Sequence, residues 1–233
     1  MQNNRGGLFK YFRDYNLKLY NSKIKTGAYL DLETYFPEYS ILEDNWGEIQ
    51  KEILGVMDTG RVLPKFHEVD NGQEHISDND GLSWSLLNLM FYGMWHKKNT
   101  MLCPQTTSLL KNMKSVKGAY FSILSPGKHI PAHKGPYKGI VRYQLALKVP
   151  KNGECKIFVD GIPYFWTEGK SMLFDDTYTH EVINNTTECR VALLLDVKRN
   201  IPGFFMRKYD FFIFKLIQFM VILNNTFGKS EIK

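Results

Sequence analysis

The hydrophobic rhythm of the chain changes near residue 119. Upstream, the segment LEDNWGEIQKEILGVMD has helical spacing: Trp46, Ile49, Ile53, Leu54 and Met57 share a face, and Asp44 or Asn45 is placed to cap the start. Residues 58–82 are rich in Gly, Asp and Asn and read as loop. GLSWSLLNLMFYGMW is a continuous apolar run that reads as a buried strand, with a helix as the alternative. PQTTSLLKNM reads as a short helix with Pro104 in its first turn. From Ala119 the segments AYFSILSPG, GIVRYQLALKVP, CKIFVDG, IPYFWTEG, SMLFDD, HEVINN and CRVALLLDVKR are short strands separated by Gly, Pro, Asn and Asp turns. Such spacing predicts an all-β barrel or sandwich. The expected fold is therefore mainly β with flanking helices: an N-terminal arm (1–34), a helical support (35–118), a β-core (119–199) and a tail (200–233).

Alternation within two strands places charge where apolar residues usually lie. In GIVRYQLALKVP, Val141, Tyr143, Leu145, Leu147 and Val149 point one way, and Arg142, Gln144 and Ala146 the other. In CRVALLLDVKR, Val191, Leu193 and Leu195 share one face, and Arg190, Ala192 and Leu194 the opposite one. In a small barrel the second face lines the interior, and two interior arginines need anions. A small dicarboxylate held by bidentate forks is one answer. A structural pair with an acidic residue such as Asp175, Asp176, Glu181 or Asp196 at the barrel end is the other. Two histidines, His133 and His180, each precede one of these strands, and imidazole suits a non-heme iron centre with open positions. The carboxylate that usually follows the first histidine by two residues is absent, because that position is Gly135.

Composition narrows the class without choosing an activity. The 233 residues are 43% hydrophobic and 14% aromatic, enough for one ordinary domain with appendages and too apolar for global disorder. The net charge is +6, with no helix-turn-helix, zinc-finger or RNP-like pattern to point that charge at nucleic acid. Cys103, Cys155 and Cys189 are widely spaced and odd in number, which argues against a disulfide framework and for a reducing compartment. The start MQNNRGGLFKYFRDYNLKLYN has no apolar run of signal-peptide length, so a cytoplasmic chain is expected. The densest apolar part of the tail, Phe211 to Leu223, contains Lys215 and Gln218 and falls short of the roughly 20 residues of a spanning helix. Two readings of 204–223 remain: a basic, aromatic-rich helix in peripheral contact with a membrane interface, or a helix docked on the β-core.

HKGPYKGIVRYQLALKVP followed by GKSMLFDDTYTHEVINNTTECRVALLLDVKR resembles the aspartyl/asparaginyl β-hydroxylase family of iron(II)- and 2-oxoglutarate-dependent dioxygenases, which includes lipid A hydroxylase-like members. The resemblance reaches upstream through FSILSPGKHIPAH and CPQTTSLL, and more weakly YFPEYSILEDNWGEIQKEI, covering roughly residues 35–199. It implies a double-stranded β-helix of jelly-roll, cupin-like form, iron(II) bound by His133 and His180, and 2-oxoglutarate contacted by Ser122, Arg142, Gln144 and Arg190. Arg190 is implied to clamp the distal carboxylate with Ser122 assisting, and Arg142 to sit near the metal-chelating end. Gly135 matches the branch resembling animal aspartyl hydroxylases, whereas lipid A hydroxylases keep an aspartate there. Family members commonly have histidine at Gln144 and tryptophan at Ile183. Asp175, Asp176 and Glu181 lie near His180 in sequence and are candidates to orient its outer ring nitrogen; the alternative is that Asp175 and Asp176 simply make the turn. With O2 as the other co-substrate, the implied reaction hydroxylates an unactivated C–H bond. The expected substrate is an Asp or Asn side chain in a peptide or protein. A lipid acyl chain at a membrane surface is the alternative, and a non-catalytic β-barrel binding protein the reading from another class.

Overall fold

A computed structural model describes residues 5–70, 72 and 74–232, with the backbone alone for 5–10. Positions 1–4 of the expected arm, 71 and 73 of the expected loop, and 233 of the tail lie outside the described residues. The helices among them are α1 (Arg5–Lys23), α2 (Leu32–Tyr35), α3 (Tyr39–Asp44), α4 (Trp46–Asp58), α5 (Phe66–Val69), α6 (Glu74–Ser77), α7 (Lys97–Thr100), α8 (Pro104–Lys111), α9 (Phe204–Leu223) and α10 (Thr226–Lys229). The strands are β1 (Trp84–Phe91), β2 (Met94–Trp95), β3 (Val116–Leu124), β4 (His129–His133), β5 (Ile140–Lys148), β6 (Glu154–Val159), β7 (Ile162–Phe165), β8 (Ser171–Phe174), β9 (His180–Asn185) and β10 (Arg190–Lys198).

The strands form two antiparallel sheets, one ordered β2-β1-β3-β10-β5-β8 and the other β4-β9-β6-β7. From β3 onward the chain crosses between them repeatedly, and that alternation is the signature of a jelly roll, or double-stranded β-helix. Strand alternation decides what each face meets. Val141, Tyr143, Leu145, Leu147, Leu193 and Leu195 pack outward against Leu42, Ile49, Ile53, Val56 and Leu110 of α3, α4 and α8. The opposite face joins Leu124 and Ala146 to Ile157, Val159 and Val182 of the smaller sheet and to Trp166 just after β7, forming the barrel interior.

The apolar run at 81–95 is a strand and hairpin. Its two-residue turn, Tyr92-Gly93, has positive φ at both positions (44° and 82°), as a primed hairpin turn requires. Two expectations need correction. Neither Asp44 nor Asn45 caps α4; the Asn45 amide instead donates to the Ile41 carbonyl at 2.8 Å, closing α3. The expected loop at 58–82 contains α5 and α6, and α5 starts where the Glu68 carboxylate accepts from the Lys65 backbone N–H at 2.7 Å.

One face of the tail helix α9 docks on the core: Met206, Tyr209, Ile213 and Ile217 pack with Tyr20 and Ile24 of α1 and with Tyr137 and Ile140. No helix among the described residues is long and apolar enough to cross a membrane.

Candidate functional site

His133 ends β4 and His180 opens β9, and the two are direct partners across the ladder. Their rings lie 4.1 Å apart between centroids, inclined at 54°. The same local device orients each ring. His133 Nδ1 donates to the Pro131 carbonyl at 2.7 Å, and His180 Nδ1 donates to the Tyr178 carbonyl at 3.0 Å. In both, the Nδ1 proton is committed two residues back along the chain, and Nε2 keeps a lone pair. Burial, then the neighbouring His180, pushes His133 down to about 4; burial also pushes His180 down to about 4, with Arg142 adding to the effect. Both imidazoles are therefore neutral at physiological pH, the form that ligates metals.

The expected carboxylate partners of the ring nitrogen are engaged elsewhere. Asp175 pairs with Lys138 at 2.9 Å and Arg199 at 2.8 Å, and Glu181 with His129 at 2.6 Å. Asp176 Oδ2 accepts from Arg142 at 3.2 Å, while its Oδ1 is buried without a partner.

Arg142 faces the interior as alternation requires, but its anions belong to the chain. It pairs with Asp176 at 3.2 Å and with Asp196, its cross-strand neighbour, at 2.9 Å. Tyr120 bonds to both Arg142 and Asp196. Burial works against the Arg142 charge, and Asp196 and Asp176 more than offset it. Burial pushes the Asp196 carboxyl up to about 6 and raises that of Asp176, each against the pull of Arg142. Two glycines make room for this triad. A Cβ on Gly118 would lie 2.2 Å from Asp196 Oδ2, and one on Gly135 would lie 2.5 Å from the Asp176 carboxylate. Gly135 is thus a steric requirement: Asp176 fills the space that a carboxylate side chain at 135 would need. Of the two readings of the interior arginines, these pairs give Arg142 the structural one, an Arg–Asp pair at the barrel end.

Arg190 is the opposite case. It is 2% exposed and forms no salt bridge among the described residues. Its Nε has no partner, and its Nη1 lies 3.4 Å from Ser122 Oγ and 3.5 Å from the Ser122 carbonyl. The guanidinium sits 4.9 Å from the Trp166 ring centroid. Burial lowers its pKa to about 10, which leaves it charged. Trp84 Nε1 donates to Ser122 Oγ at 2.9 Å, and Trp166 Nε1 donates to Gln144 Oε1 at 3.0 Å. Ser122 and Gln144 are thereby fixed by two indoles that the sequence reading did not single out. Ala146 and Ala192, on the same face as Gln144 and Arg190, are partners across the ladder and present small side chains to the interior. A buried guanidinium without an anion carries a penalty of several kcal/mol, which an anionic ligand would offset.

Among the described residues no three His, Cys, Asp or Glu side chains converge as a metal cluster. What is present fits a metal held by two protein ligands: two neutral imidazoles with free Nε2 atoms, and a buried carboxylate whose charge acts on His133.

The fold and its interior define the class of cupin-like double-stranded β-helix proteins, here with a histidine pair at one end and an uncompensated arginine inside. More narrowly, the chain belongs to the aspartyl/asparaginyl β-hydroxylase family, whose model matches residues 43–200. It is 35% identical over 182 residues to the ornithine lipid ester-linked acyl 2-hydroxylase of Rhizobium tropici, a match covering 78% of this chain and 64% of that protein. It is 33% identical over 161 residues to the human aspartyl/asparaginyl beta-hydroxylase, covering 67% of this chain and 20% of that one. The chain thus spans under two thirds of the first relative and a fifth of the second. A cupin barrel from Salinispora arenicola superposes with a TM-score of 0.32 at 14% identity, covering 52% of this chain and 84% of that one; the fold rests on the chain's own strand order.

Proposed function

We propose that the protein is an iron(II)- and 2-oxoglutarate-dependent hydroxylase. The observation that carries this reading is Arg190: a charged, fully buried guanidinium with an unpaired Nε, inside a barrel that presents two metal-competent imidazoles at one end. A small diacid whose far carboxylate meets Arg190 and Ser122 supplies the missing charge. Its keto-acid end would be left to ligate a metal held by the histidines. His133 and His180 would hold iron(II), which would supply the oxygen chemistry by which 2-oxoglutarate, O2 and R–H become succinate, CO2 and R–OH. The chain's residues orient and exclude. Ser122 and Gln144 are pinned by Trp84 and Trp166, and the apolar wall keeps water from the reacting centre.

The two relatives' names share a chemical feature. An acyl C2 and an aspartyl Cβ are both methylenes next to a carbonyl carbon. The substrate class is therefore a CH2 beside a carbonyl, in an Asp or Asn side chain or in an acyl lipid. The test is succinate formation from 2-oxoglutarate by purified protein with iron(II), together with a mass search for a gain of one oxygen in peptides and lipids. No iron(II) binding, or binding unaffected by His133→Ala and His180→Ala, overturns the reading.

A further inference from the structure

Helix α9 has two apolar faces, and the fold uses one. Its inward stripe packs on the third core cluster, and Asp210, its single acidic residue, is buried there, accepting from Tyr20 at 2.8 Å and Tyr137 at 2.6 Å. Outward, nine large apolar residues are exposed, among them Phe205 at 84%, Phe212 at 63%, Phe211 at 60% and Phe219 at 55%. Positions 204, 208, 211, 212, 215, 216, 219 and 223 recur at three- and four-residue intervals, so they form one stripe. Two lysines lie in it, each near an aromatic ring: Lys208 Nζ 4.4 Å from the Phe204 centroid, and Lys215 Nζ 5.6 Å from that of Phe211. The neighbouring helix α1 adds exposed Tyr11, Phe12 and Tyr15.

An exposed aromatic face of this extent marks an interaction surface. Its charge selects the partner. Arg207, Lys208 and Lys215 are exposed on α9, and no carboxylate of the helix is. A second copy meeting it about a two-fold axis would oppose lysine to lysine. A bilayer with anionic headgroups takes both components: rings enter the acyl boundary while lysine stems carry their ammonium groups to the phosphates.

We infer that the outward face of α9 is a docking surface for an anionic lipid bilayer. Docking there holds the histidine end of the barrel close to the membrane. The helix is bonded through Asp210 to Tyr137 in the loop that follows His133. A cleft of about 340 Å³ lies between α1, that loop and the Thr177–Thr179 turn before His180, with Lys25 and Lys134 on its wall.

The test is co-sedimentation of the full chain with phosphatidylcholine vesicles, with and without one quarter phosphatidylglycerol. Binding is expected only with the anionic lipid. It should weaken at least tenfold in Phe211→Glu/Phe212→Glu, and less in Lys208→Gln/Lys215→Gln, where added salt should lose most of its effect. An unchanged melting temperature shows that these exposed substitutions keep the fold. No binding to anionic vesicles, equal binding by the Phe variant, or a dimer abolished by that variant overturns the inference. None of these outcomes bears on succinate formation, so the hydroxylase reading fails or stands separately.

Discussion

At the scale of single residues, two interior arginines that look alike in sequence differ in whether the fold neutralises them. Alternation along β5 and β10 was enough to place Arg142 and Arg190 inside. What it could not supply was register: that Arg142 sits opposite Asp196, and that Gly118 and Gly135 clear space for two carboxylates, requires knowing which strands pair. The consequence is testable. Arg190→Met removes an uncompensated charge, so the ligand-free protein should be as stable as the parent or more so, by up to about 4 kcal/mol on denaturant unfolding. The same change should raise the 2-oxoglutarate requirement more than tenfold while iron(II) affinity stays within about twofold. Loss of stability together with loss of both ligands would make Arg190 a structural residue. The histidines give a pH signature. In the metal-free protein their ring resonances should titrate near 4, not 6.5. Unfolded imidazoles take up protons in that window and folded ones do not. Their contribution to stability is therefore complete above about pH 6.5 and is lost as pH falls toward 4. Asp196, raised to about 6, acts in the opposite sense between its ordinary value and 6. NMR titration reads the groups separately.

At the scale of elements, seven β-core segments were legible as short apolar or alternating runs bounded by turn residues, whereas β4, which carries His133, was not read as a strand. The hairpin of β1 and β2 was less legible, because a strand buried on both faces loses its alternation. The α4 cap was misread because Asn45 has two competing uses, and the end of α3 takes its amide. The tail was legible as a helix but not as a tether, since Asp210 finds Tyr20 and Tyr137 only in three dimensions. This tether predicts that Asp210→Ala, which leaves two buried hydroxyls without their acceptor, costs about 1–3 kcal/mol. Hydrogen exchange should rise in α9 and in the 134–139 loop together. A rise confined to α9 would show that helix and loop are not coupled. Deleting residues 204–233 is a poor probe of the outward face by comparison, because it would also expose Tyr137, Ile140 and Tyr20.

At the scale of the whole molecule, one barrel carries a histidine pair at one end and an unpaired guanidinium in its interior. On the proposed function, the imidazoles hold a cation and Arg190 receives an anion. A keto-diacid that chelates the metal and reaches Arg190 completes both at once, so the two ligands should bind cooperatively, each raising the other's affinity by the same factor. Melting temperature in the absence of oxygen measures this without turnover. A ligand at one hundred times its Kd adds about 2.7 kcal/mol of stability. For a domain of this size that corresponds to a rise of about 5–10 °C. Iron(II) with 2-oxoglutarate should therefore raise the melting temperature by more than the sum of the two separate shifts. Arg190→Ala should abolish the 2-oxoglutarate increment and leave the iron increment, whereas His133→Ala should remove both. Purely additive shifts would mean that the two ends bind independent ligands, and the diacid would then not be the group that bridges them.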